Sequence, residues 1–82
     1  MGKAEVESRV KKVTGEVLGV EEADIKADSR FVEDLGAESV QSLELVAAFE
    51  DEFDIEMEED AALKVQTVGK AVEFIQRHLE SK

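Results

Sequence analysis

The chain contains no cysteine. That excludes disulfides, thiolate metal sites and a cysteine nucleophile; any thiol chemistry must use a thiol supplied from outside. There is no proline and no tryptophan, and there is a single histidine, His78. A serine-histidine triad would have to be built on that one ring, which lies close to the C-terminus, where it is expected to face solvent. Long apolar runs are also missing: no stretch approaches the ~18 residues of a membrane span. Lys3, Glu5 and Glu7 interrupt the start, so no secretory signal pattern is present and a cytoplasmic location is expected. Basic residues are scarce, ten against twenty-one acidic, leaving a net charge of −11. Such a surface repels nucleic acid and anionic lipid, and it attracts basic protein patches or divalent cations.

What is present is helical periodicity. The 82 residues suffice for one small domain, expected to span 1–82 and to be monomeric. Val6, Val10, Val13 and Val17 recur at i, i+4, i+7 and i+11, predicting a helix over Lys3–Leu18 that stops at Gly19. From Val20 to Glu38 the periodicity lapses. Asp24, Asp28, Ser29 and Gly36 punctuate a long loop that Ile25, Phe31 and Leu35 pin to the core, and loops of this length are often functional.

Ser39–Phe53 is predicted as the second helix, with Leu43, Leu45, Val46, Phe49 and Phe53 on one apolar arc. Val40, Glu44, Ala47, Ala48 and Asp51 fall on the other side. After an acidic break at 54–58, a short helix over Glu59–Val65 places Ala62, Leu63 and Val65 inward. Thr67 caps a last helix with the stripe Val68, Val72, Ile75 and Leu79, ending near Ser81. The pattern has no alternating strands. It therefore predicts an all-α fold: a small four-helix bundle, three longer helices plus one short, with a long loop between the first and second helices.

The run Asp34-Leu35-Gly36-Ala37-Glu38-Ser39-Val40 is where a loop ends and an amphipathic helix begins. Read structurally, Ser39 is an N-cap. As a nucleophile it lacks a nearby base, so no enzyme is expected. A third role exists: free N–H groups at a helix start suit a phosphodiester, and a thiol-bearing arm attached through phosphate would supply the missing thiol. The acidic stretch Glu50–Asp60 lacks the Asp-x-Asp-x-Asp-Gly spacing of a calcium loop and is expected to be a solvated face, with no metal site.

The segment Phe31–Ser39 resembles the signature of the acyl carrier protein family. So do Glu44-Leu45-Val46, Glu50–Glu56 and Gln66-Thr67-Val68-Gly69, and the likeness runs from about Val6 to Ile75. The resemblance implies a cofactor, 4′-phosphopantetheine, joined covalently to Ser39 from coenzyme A beside Glu38. It implies that the arm's thiol holds acyl groups as thioesters for fatty acid synthesis or a specialised lipid or polyketide pathway. It implies partners as well: a phosphopantetheinyl transferase, and acyl-transferring and chain-elongating enzymes with basic patches. These would dock on Val40, Glu44, Ala47, Glu50 and Asp51, with no nucleic acid and no membrane insertion. Leu45, Phe49 and Val65 are the expected lining of an acyl-chain pocket.

The chain departs from the family at Glu38-Ser39-Val40, where Asp-Ser-Leu is usual, at Ala47, where a larger apolar residue is common, and at Glu58, where proline is frequent. The first two departures point to a narrower partner set than a housekeeping carrier has. The alternative from a different class is an unmodified acidic helical adaptor that binds basic partners.

Overall fold

The structure, a computed structural model, describes residues 2–80. Four helices follow in order: α1 (Lys3–Leu18), α2 (Ser39–Phe53), α3 (Glu59–Leu63) and α4 (Val68–Glu80). A single 3-10 turn, Glu22–Asp24, interrupts the long connection from α1 to α2. The architecture is the expected bundle, with α1 packed on both α2 and α4 and the short α3 leaning on α2.

The three longer helices bury most of the stripes their spacing predicts. Val6, Val10 and Val13 are buried from α1, with Val17 packed at the margin. Leu45, Phe49 and Phe53 are buried from α2, and Val68, Ala71, Val72 and Ile75 from α4. Ile25 and Phe31 anchor the long loop in the same core, and Leu35 packs against it. Gly19 ends α1 in the left-handed conformation (φ 68°), its N–H returning to Gly15 O at 2.9 Å, the usual use of glycine at a helix end.

Two apolar residues depart from their expected places. Leu43 belongs by spacing to the apolar arc of α2, yet it is 44% exposed. At ~100° per residue it lies three positions after Val40 and shares Val40's face, almost opposite Leu45. The short helix stops at Leu63, and Leu63 is exposed rather than inward. Ala62 alone of that trio is fully buried, with Val65 half-buried against the core. Ser81, the expected end of the last helix, lies outside the described residues.

The long loop is fastened to the start of α4. Val68 N–H donates to Ser29 O (3.0 Å), Gly69 N–H to Ala27 O (2.7 Å), and Phe31 N–H to Gln66 O (3.0 Å). Thr67 Oγ1 accepts Lys70 N–H at 3.2 Å, as its cap role requires. Every donor in the first turn of α4 is thus satisfied within the protein. The approach is close enough that a Cβ at Gly69 would meet Ala27 O at 2.9 Å, so glycine is the residue that fits.

Candidate functional site

The segment leading into α2 is a tight loop closed by its own backbone. Asp34 and Leu35 N–H both donate to Arg30 O, Ala37 N–H donates to Phe31 O at 2.8 Å, and the Asp34 carboxylate accepts Arg30 N–H at 2.8 Å. Gly36 turns the chain with φ 74°, where a side chain would be strained. Ala37 then plants the loop in the core, 4% exposed. The next residues, Glu38 and Ser39, are both exposed.

Ser39 is the first residue inside α2, and the cap is Glu38. This differs from the structural reading of Ser39 as the N-cap. Glu38 and Gln41 form a capping box. Its well-formed half is the bond from Glu38 N–H to Gln41 Oε1, 2.9 Å. Ser39 Oγ has no hydrogen-bond partner among the described residues, and neither have the N–H groups of Ser39 and Val40. The result is an exposed, unengaged hydroxyl beside two free donors at the positive end of a fifteen-residue helix.

The other serines sit differently. Ser29 is buried and its Oγ accepts Lys26 N–H at 2.9 Å. Ser42 is half-buried inside α2 and Ser8 lies mid-helix in α1. Among the described residues no titratable side chain is hydrogen-bonded to Ser39. The imidazole of His78 is half-buried rather than solvent-facing, donating from Nδ1 to Phe74 O at 3.0 Å and tilted against the Phe74 ring.

Of the predicted docking residues, Val40, Glu44, Ala47 and Asp51 lie exposed along one face of α2, Val40 by 64%. Leu43 extends that face with a second apolar side chain. Glu50 is set apart: it is half-buried, and its carboxylate accepts Met57 N–H at 3.0 Å, bracing the connection to α3.

Leu45, Phe49 and Val65, the expected pocket residues, all line one cavity of about 320 Å³. Phe31, Met57, Leu63 and Phe74 are among the other apolar residues on its wall, and Arg30, Glu33, Ser42 and Gln66 bring polar groups to it. Arg30 and Glu33 are ion-paired at its edge. Ser42 lies one turn beyond Ser39 on adjacent sides of α2, so the cavity wall begins within one helical turn of the free hydroxyl. Phe31 was legible as a loop anchor and as the start of the signature segment but not as a cavity wall, and Phe74 lies off the predicted stripe of α4. Gln41 was not singled out, although Glu38-x-x-Gln41 is a capping pattern apart from its first residue.

Among the described residues no group of three or more His, Asp or Glu side chains converges to hold a metal ion, and no helix is long and apolar enough to cross a membrane. A family model described as a phosphopantetheine attachment site matches residues 8–75, from the middle of α1 into α4.

Proposed function

This chain belongs to the phosphopantetheine attachment family, and from that premise we propose that Ser39 is its attachment point and that it carries acyl groups. Members of the family are carriers rather than catalysts, hold 4′-phosphopantetheine covalently, and work with modifying transferases and other enzymes. The observation that carries the assignment is the state of Ser39: an exposed residue at the first position of α2, its hydroxyl without a hydrogen bond among the described residues, beside the N–H groups of Ser39 and Val40, which have none either. A phosphodiester fits there, because its negative charge meets unpaired donors and the helix dipole.

In the attachment step Ser39 Oγ attacks the pantetheine-bearing phosphorus of coenzyme A. The new Oγ–P bond replaces the P–O bond to adenosine 3′,5′-bisphosphate, which leaves, and the hydroxyl proton passes to a base on the transferase. Once attached, the arm supplies a thiol that holds cargo as a thioester, the chemistry a chain without cysteine lacks.

The cavity lined by Leu45, Phe49 and Val65 supports shelter of an acyl chain beside the attachment point. The exposed row Val40, Glu44, Ala47 and Asp51 supports docking of enzymes with basic patches, steered by charge. Fatty acid synthesis or a specialised lipid or polyketide pathway, in the cytoplasm, is the setting this reading favours.

The test is mass spectrometry after incubation with coenzyme A and a transferase. One arm should be added, and Ser39→Ala should abolish the addition while leaving helical content unchanged. A second modified serine would overturn the assignment. No modification under conditions that modify another carrier would favour the unmodified acidic adaptor.

A further inference from the structure

The start of α2 has a choice of register. N-cap positions favour Ser, Thr, Asp and Asn, so Ser39 is a better intrinsic cap than Glu38. Were Ser39 the cap, the third residue of the helix would be Ser42, whose side chain cannot complete a capping box. With Glu38 as the cap, the third residue is Gln41, which can reach back.

The structure adopts the second register. Glu38 is extended (φ −87°, ψ 168°), Ser42 N–H donates to Glu38 O at 2.9 Å, and Gln41 Oε1 accepts Glu38 N–H at 2.9 Å. The registers differ in what they do to Ser39. As a cap, its Oγ would accept a backbone N–H and fold over the helix end. As the first helical residue, its Oγ is exposed and unengaged.

We infer that Gln41 is a positioning residue for Ser39: its side chain sets the start of α2 one residue early and so keeps the Ser39 hydroxyl free for phosphoryl transfer. The inference rests on Ser39 being the attachment point. It adds that Oγ is not drawn onto the helix end by a backbone N–H, which would weaken and misdirect it as a nucleophile, because Gln41, and not Ser39, completes the cap. Only the Glu38-capped register reacts, so the transferase's apparent kcat/KM scales with that register's population.

The experiment compares wild type, Gln41→Ala and Gln41→Glu. Transferase kinetics are measured in high salt, where the extra charge of Gln41→Glu is screened. The 13Cα and 13Cβ shifts of Ser39, which distinguish helical from extended backbone, are recorded on the unmodified proteins. Gln41→Ala should lower kcat/KM about fivefold, equivalent to about 1 kcal/mol, and move the Ser39 shifts toward extended values. Gln41→Glu rebuilds the box and should keep both within about twofold of wild type and unshifted, respectively.

Wild-type kinetics for Gln41→Ala would overturn the inference. So would slowing in both variants with unmoved Ser39 shifts, which would make Gln41 a transferase contact. If wild-type Ser39 takes no arm at all, the attachment assignment fails instead, and the carbon shifts still report whether Gln41 sets the register.

Discussion

Glu50 lies on the helix assigned to docking, yet its carboxylate is engaged within the protein, so replacing it separates two roles. In Glu50→Ala the Met57 N–H loses the acceptor it holds at 3.0 Å. Hydrogen bonds to charged groups contribute ~1.5–3 kcal/mol. Glu50 is half-buried, which puts this bond near the lower end of that range. Water reaching the freed N–H, and relief of repulsion in a chain with twenty-one acidic residues, offset a few tenths more. The net loss is about 1 kcal/mol, which for a domain this small lowers Tm by roughly 4–8 °C.

Glu50→Gln keeps an oxygen acceptor in the same place and should melt within about 0.5 kcal/mol of wild type. The assay is thermal unfolding followed by circular dichroism at fixed salt, paired with transferase association rates. A Glu50→Ala protein that melts with wild type would refute the bracing role. Equal slowing of the transferase by Glu50→Gln and Glu50→Ala would return Glu50 to the docking face.

Gly36→Ala should destabilise by about 1 kcal/mol in a denaturant titration, although open space surrounds the position, because φ is 74° there. Thr14 is fully buried and its Oγ1 has no partner among the described residues; Thr14→Val removes that orphan at nearly constant shape and should raise stability by about 1 kcal/mol in the same titration. Reversing Glu44 and Asp51 to Lys should slow phosphopantetheinylation in low salt, with the difference shrinking as salt rises and helical content unchanged; an unchanged low-salt rate would move the docking face elsewhere. Salt or millimolar Mg²⁺ should raise Tm by screening the charge of −11, and a melting curve indifferent to both would show the acidic groups to be too dispersed to matter.

The helices were legible because burial imposes period. Lys3–Leu18 and Ser39–Phe53 have the bounds that apolar spacing predicts, since Gly19 and the Gly36-Ala37-Glu38 turn mark their ends. Leu43 and Leu63 were misplaced because an apolar residue near the edge of an arc carries no sign of which side it takes. Glu50 looked like a surface charge because a side chain's bond to a backbone N–H seven residues on leaves no periodic trace. The long loop was legible by its anchors Ile25 and Phe31, whereas its bonds to Gln66, Val68 and Gly69 were hidden, being backbone contacts that any sequence can make. At the candidate site Ser39 was legible from its motif, and the box that frees its hydroxyl was obscured by the stronger capping propensity of serine itself.

The fastening of the long loop to α4 has a consequence for the nascent chain. Arg30 pairs with Thr67, and the carbonyls of Ala27 and Ser29 close on Val68 and Gly69. A chain made from its N-terminus makes residues 27–31 before the partners they close on, so the long loop has nothing to fasten to until the start of α4 is in place. Contacts this distant in sequence form late in folding. Seating of the long loop therefore waits for the last helix, whereas the turn over 30–37, whose bonds are local, can close before it.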